Sequence, residues 1–398
     1  MIQPAGHVAP GFEPVRDAFA ASLARPDALG AAVAIHHQGR LVVDLWGGAS
    51  QADGSGQWQN DSLVLLYSVS KGLSGLACAV AVARGLFDYD EPVAAVWPEF
   101  ACAGKQGVTI GQLLSGQAGV AALPLALNRD RMADQDLMAR TIAGQSPNWP
   151  PGQLAGNHSY SLGWVACELI RRRDPAGRSL GQFMADELTG PLGAELYLGL
   201  PADVDRSRLA RIKGWGFVDL LLHNKTIPWS LVLALLWPCS LPFRALNNPF
   251  FLHGAGALDQ EEWRDVELGA IGAIGSARAV ASCYAAFVAP GGPLALPVSL
   301  LDRLIAGHPQ PARGQRDAVL HVGMNCSFGL EKPSVDWPFA PSASAFGSFA
   351  IGGSLAFADP GNQAAYAFVT NRLGLYARDD PREKMVRDAF YKVIRPGG

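Results

Sequence analysis

The stretch Leu65-Leu66-Tyr67-Ser68-Val69-Ser70-Lys71-Gly72-Leu73, which runs on without a charge to Ala83, decides how this chain is read. In a helix, residues three apart share one face, so Ser68 and Lys71 come within touching distance. A serine hydroxyl becomes a good nucleophile only when a base takes its proton, and a lysine serves as that base when burial lowers its pKa. The uncharged run 72–83 predicts a buried helix with Lys71 at its polar mouth. Ser68 then lies in the first turn, where unpaired N–H groups favour a developing oxyanion. The tetrapeptide S-x-x-K also arises by chance, so its surroundings must carry the argument.

A chain of 398 residues, 49% of them hydrophobic, can bury a large core, and its length suggests more than one lobe. Lys and Arg number 32 against 35 Asp and Glu, for a net charge of -3. No basic patch stands out, which argues against a nucleic-acid partner. The six cysteines, at 78, 102, 167, 239, 283 and 326, form no C-x-x-C pair. With no His-rich spacing beside them they predict no zinc site and read mostly as small apolar core residues. No metal or cofactor is expected. The start, Met1 to His7, lacks the basic and apolar stretches of a signal peptide, so a cytoplasmic enzyme is expected.

Residues 11–25 have helical spacing, with Phe12, Val15, Phe19 and Leu23 on one side. Ala31–His36 and Leu41–Trp46 then read as two strands of a hairpin turned at residues 37–40. After the Ser68 helix, Arg84-Gly85-Leu86 reads as a stop signal. Val108 to Ser115 reads as a short capped helix. From about 98 to 250 the pattern is helical, with proline-rich breaks and no convincing strand pair. Strand character returns in 347–357 and 364–370, linked by Asp359-Pro360-Gly361-Asn362. Residues 382–394 close the chain as an amphipathic helix, with Met385, Val386, Phe390 and Val393 inward. Strands at both ends of the chain imply one sheet built from both termini.

Pro228-Trp229-Ser230-Leu231-Val232-Leu233-Ala234-Leu235-Leu236-Trp237-Pro238 is strongly apolar. It is far short of the ~20 residues that span a bilayer. Two readings stand: a buried helix or packed loop, or an apolar lid or interfacial patch over an active site, with weak membrane-surface contact.

The order of motifs resembles the serine beta-lactamase-related superfamily, most closely the class C-like esterases called family VIII carboxylesterases. The resemblance rests on Asp44-Leu45-Trp46-Gly47-Gly48, on Tyr67-Ser68-Val69-Ser70-Lys71-Gly72, and on Asp88 to Phe100 with Val96-Trp97-Pro98. It continues through Gln112 to Gly119, Pro151-Gly152 followed by Gly163-Trp164, and Gly352 to Pro360. It implies an α+β, beta-lactamase/transpeptidase-like fold: an antiparallel sheet flanked by helices, with an inserted mainly helical lobe. Residues 1–97 and 255–398 would form the mixed lobe, and 98–254 the insertion, with a lid-like segment at 226–243. It also implies an acyl-enzyme on Ser68, with Lys71 as base and an oxyanion hole from the N–H groups of Ser68 and Ile351.

The departures from that family are as informative. It places a tyrosine six residues after the proline of the Pro-Gly turn, where this chain has Asn157, and an amide cannot exchange protons as a phenol does. His158 and Tyr160 are the candidate substitutes, each with a structural role as the plainer alternative. The late strand's usual histidine or lysine, with glycine two residues on, is Ser348-Phe349-Ala350. The loop usually written Ser-His-Gln-Ala-Gly is Ser115-Gly116-Gln117-Ala118-Gly119. The segment 269–276 is glycine-rich, but no P-loop lysine follows it, so it is not a phosphate cradle.

The catalytic candidates are thus Ser68, Lys71, Asn157 and His158. Tyr67, Gln117, Tyr160, Ser348, Phe349 and Ile351 are expected to line the substrate cleft. Small and apolar replacements at several cleft positions suggest a bulky hydrophobic ester or thioester. The alternatives are an acyltransferase on the same scaffold, or a non-acylating enzyme or hydrophobic-ligand binder that keeps the fold. Beta-lactam cleavage is disfavoured because the late-strand cation is missing.

Overall fold

The computed structural model describes residues 3–249 and 256–395. Among these residues twelve strands are described: β1 (Ala5–Val8), β2 (Gly30–His37), β3 (Arg40–Gly48), β4 (Leu63–Leu65), β5 (Leu196–Leu198), β6 (Leu209–Ala210), β7 (Ala273–Gly275), β8 (Cys326–Ser327), β9 (Leu330–Glu331), β10 (Phe346–Phe349), β11 (Leu355–Asp359) and β12 (Ala364–Thr370). Eight form one antiparallel sheet in the order β1-β3-β2-β12-β11-β10-β9-β8, built from both ends of the chain. A second sheet runs β5-β7-β4-β6, with β4 parallel to β6.

The central strands of the large sheet show why helices cover both faces. On β12, Ala364, Tyr366 and Phe368 join the core under the terminal helices α1 (Glu13–Leu23) and 381–394, while Ala365, Ala367 and Val369 point the other way. On β11, Leu355 and Phe357 face the terminal helices, and Ala356 and Ala358 the opposite side. Large side chains thus fill one face, and alanines on the other let helices α2 (Val69–Ala83) and 277–285 lie close to the backbone.

That close approach fixes α2. A Cβ on Gly72 would come within 2.1 Å of the Tyr284 hydroxyl and 2.6 Å of the Ser348 Cβ. One on Gly75 would meet the Phe328 carbonyl oxygen at 2.9 Å. The helix ends where the stop signal lies, with the Leu86 N–H donating to the Ala81 carbonyl at 3.0 Å.

The longer elements mostly follow the sequence pattern, whereas the short strands β1 and β4 to β9 were not anticipated. Residues 347–357 are not one strand: β10 and β11 are separated by a turn at 350–354. The segment 98–250 also contains β5 and β6, which pair with β7 and β4 rather than with each other. Strands of two or three residues are too short to establish an alternating pattern. Only Cys78, Cys167 and Cys283 are core residues, whereas Cys102 and Cys239 are exposed. Among the described residues no helix is long and apolar enough to cross a membrane.

Candidate active site

Tyr67 has φ of +46°, a strained value for a bulky non-glycine residue, and it turns the chain from β4 into α2. Ser68 is the N-cap residue and makes no side-chain cap hydrogen bond, so its hydroxyl is left for other chemistry. Lys71 Nζ donates to Ser68 Oγ at 2.6 Å. Ser348, on β10, donates to the Ser68 carbonyl oxygen at 2.8 Å and ties the head of the helix to the large sheet. Among the described residues, the backbone N–H groups of Ser68 and Ile351 donate to no acceptor.

Ser68 and Lys71 open on a cavity of about 210 Å³. Its walls are mainly apolar, among them Leu162, Ile227, Leu231, Leu235, Leu258 and Leu320. Pro228, Leu231 and Leu235 are part of this wall, so the apolar segment 228–238 lines the cavity along one side. It does so as the short helix Trp229–Ala234 and the turn after it. Trp229 and Trp237 on its outer side remain exposed.

Four charged side chains share this apolar space: Lys71, Asp317, Glu331 and Arg378. Burial pushes the Lys71 ammonium down to about 8, against the opposing pull of Glu331, Cys326 and Asp317. Burial also pushes Glu331 up to about 7, with Arg378 opposing, Asp317 adding and Lys71 opposing. Asp317 is raised to about 6 by the same cause, moderated by N–H groups of Leu320, Val319 and Asn157 and by Arg378. Its Oδ1 accepts from the Val319 and Leu320 N–H groups at 2.8 and 2.7 Å. The Arg378 guanidinium stacks over the Trp337 and Phe349 rings at 4.9 and 5.6 Å. Among the described residues, no ion pair within 4 Å joins any two of these four.

The structure gathers most of the residues singled out in the sequence. Tyr67, Ser68, Lys71, Asn157, His158, Tyr160, Ser348, Phe349 and Ile351 all line the cavity. Gln117 does not. Its amide points to the opposite side of the loop and donates to the Pro309 carbonyl at 2.8 Å, with the His308 ring at 3.2 Å, so it takes no part in the cleft. Asn157 accepts from the Ser159 hydroxyl at 3.2 Å, and no hydrogen bond joins it to Ser68 or Lys71. His158 is buried, with both ring nitrogens unpartnered and its pKa pushed down to about 4, so its ring is neutral at pH 7. The Tyr160 hydroxyl donates to the Leu246 carbonyl at 2.9 Å, and burial holds its pKa above the ordinary phenol range.

Asp317, Glu331 and Arg378 were not singled out in the sequence. For Glu331 there was a signal: a carboxylate directly after Phe328-Gly329-Leu330, in a late strand of the core sheet, must face some polar partner or cavity.

The fold, with a serine hydrogen-bonded to a lysine at the mouth of a buried helix, defines a serine hydrolase. The Beta-lactamase family profile matches residues 15–389, and the chain belongs to that family. It is 30% identical over 375 residues to the esterase/beta-lactamase LipL of Mycobacterium tuberculosis, covering 92% of this chain and 83% of that protein. It is similar in structure to a family VIII carboxylesterase (TM-score 0.85, 30% identity, 98% and 100% of the two chains covered). A penicillin-binding protein homologue from Caulobacter crescentus is also similar (TM-score 0.83, 30% identity, 98% and 99% covered).

Proposed function

We propose that this protein is a carboxylic ester hydrolase acting on a bulky hydrophobic ester or thioester through an acyl-enzyme on Ser68. The observation that carries the reading is the 2.6 Å hydrogen bond between Ser68 and Lys71 at the edge of a largely apolar cavity. Lys71, neutral, takes the Ser68 proton as Oγ attacks the acyl carbon. The free N–H groups of Ser68 and Ile351 then receive the oxyanion. Collapse breaks the bond to the leaving group, which takes a proton from the Lys71 ammonium. Water then attacks the acyl carbon and gives up a proton to the neutral Lys71, the acyl–Oγ bond breaks, and Ser68 Oγ takes that proton back as the carboxylic acid leaves.

The family's tyrosine is absent, so a second proton carrier is needed beside Lys71. Glu331 suits that role. Its carboxyl group faces the same cavity, is nearly buried, accepts no hydrogen bond among the described residues, and interacts electrostatically with Lys71. A water molecule would relay protons between the two groups, since they lie beyond ion-pair distance.

Acyl transfer is the second reading, favoured by the apolar wall that includes Leu231 and Leu235, because such a wall excludes bulk water from the acyl carbon. Intact-mass measurement after a fluorophosphonate probe or a p-nitrophenyl ester tests the common step. A single adduct is expected on the wild type and none on Ser68→Ala. Absence of the wild-type adduct would favour a hydrophobic-ligand binder instead. Adding an alcohol to the ester assay separates water from other acceptors.

A further inference from the structure

The segment over the cavity is apolar on both sides. Leu231 and Leu235, four residues apart, face the cavity together with Ile227 and Pro228. On the outer side, Trp229 and Leu233 are also four apart and are 60% and 63% exposed, followed by Leu236 at 54% and Trp237 at 66%. The preceding helix, Phe217–His223, adds Val218 and Leu222, again four apart and exposed. Six of the eight large exposed hydrophobic residues among the described residues therefore fall within 20 positions. A helix that is apolar all round is normally buried, and among the described residues none covers the outer side of this one, whose Trp229 and Leu233 stay exposed.

The charge around the patch differs from that of the chain. Residues 216–249 contain the acid Asp219 and the bases Lys225 and Arg244, for a net charge of +1, while the whole chain carries -3. Lys225 and Arg244 are both exposed. Neither makes an ion pair among the described residues. Two exposed tryptophans, a leucine-rich surface and unpaired basic residues are the composition of an element that rests at a membrane surface.

We propose that residues 218–237 dock on the surface of an anionic phospholipid membrane, placing the outer wall of the acyl cavity against the phase where a hydrophobic ester is dissolved. Its reason for lying there rests on the esterase reading, but the docking itself does not. The binding test therefore uses the Ser68→Ala protein, so that failure of catalysis and failure of docking are told apart.

The Ser68→Ala protein is sedimented with vesicles of phosphatidylglycerol and phosphatidylcholine, with vesicles of phosphatidylcholine alone, and without lipid. Binding is expected to the anionic vesicles, weaker binding to the neutral ones, and loss with rising salt. Adding Trp229→Ser and Trp237→Ser is expected to lower the partition at least tenfold. In a protein with Ser68 intact, the same two changes should leave hydrolysis of a short water-soluble ester within twofold. Should the double variant misfold, Leu233→Ser and quenching of tryptophan fluorescence by brominated lipid in the wild type give independent readouts. The proposal is overturned if the wild-type surface binds no anionic vesicle, or if the variant binds as well. It is overturned equally if the patch proves to join two copies of this chain, seen as a dimer that the tryptophan changes dissolve while vesicle binding is absent.

Discussion

If Lys71 is the base that activates Ser68, the acylation rate must follow the neutral fraction of its amine. At the ordinary value of 10.5, about 3 amines in 10,000 are neutral at pH 7, but at the value of about 8 imposed here by burial the fraction is about one in eleven. Burial therefore supplies roughly a 300-fold gain in available base. Stopped-flow measurement of p-nitrophenol release from a medium-chain ester should give a burst rate rising about tenfold per pH unit below 8 and levelling off above it.

The informative perturbation is Glu331→Gln. Glu331 raises the Lys71 pKa, so its removal lowers it and moves the inflection to lower pH. Two unit charges 4 Å apart at an effective dielectric of about 20 interact by about 4 kcal/mol, and this pair lies farther apart, so the displacement should be on the order of one pH unit. At pH 7 the burst then becomes several-fold faster. Steady-state turnover should nonetheless fall at least tenfold, because the proton relay for water attack is lost. A faster burst combined with a slower steady state is not what a merely loosened site produces. An inflection that stays at 8 or rises, or turnover that is unchanged, refutes the pairing of these two groups.

Three further outcomes follow from the same geometry. Lys71→Met should abolish the burst yet raise the melting temperature at pH 7. The folded-state pKa lies below 10.5, so the buried ammonium costs up to about 3 kcal/mol below pH 8, and this is relieved as pH rises toward 10.5; thermal denaturation at pH 7 and pH 10 should therefore show the gap narrowing. Gly72→Ala should destabilise by about 1–3 kcal/mol in urea unfolding and lower activity, because the added methyl group collides with Tyr284 and with Ser348, which holds the Ser68 carbonyl. Asn157→Tyr, built on Glu331→Gln, should restore part of the lost steady-state rate on a simple aryl ester. No recovery would mean that position 157 does not reach the Lys71 proton.

Ser68 and Lys71 were legible in the sequence because their pairing is local: three residues in one helical turn determine it. The same holds for α1, the first hairpin and the last helix, whose apolar periods extend over eight or more residues. Asp317, Glu331 and Arg378 were not legible as a group. They come from a loop, an edge-side strand and a second loop, and only the packing of β8, β9 and β10 beside α2 gathers them around one cavity. Gln117 misled for the opposite reason. It sits in a loop whose neighbours do line the site, but Gly116 turns with φ of +71° and the next side chain leaves on the far side toward His308. The segment 228–238 showed its apolar character in the sequence, but its division into an inner and an outer face requires knowing where the cavity lies.

The loss of a phenol at position 157 need not mean the loss of proton transfer, and the values at the site say why. A relay works best when donor and acceptor differ little in pKa, because each unit of difference adds about 1.4 kcal/mol to the uphill direction. Lys71 at about 8 and Glu331 at about 7 are separated by about one unit. An unperturbed phenol near 10 would stand about two units above Lys71 and on its other side. The carboxyl group is therefore the better matched partner at neutral pH, provided that it is kept from ionising fully. Burial does that, and Arg378, stacked on Trp337 and Phe349 beyond ion-pair distance, limits how far the pKa rises. Arg378→Met should accordingly push Glu331 higher and displace the acid limb of the turnover profile to higher pH. An acid limb that stays in place would assign the proton to some other group.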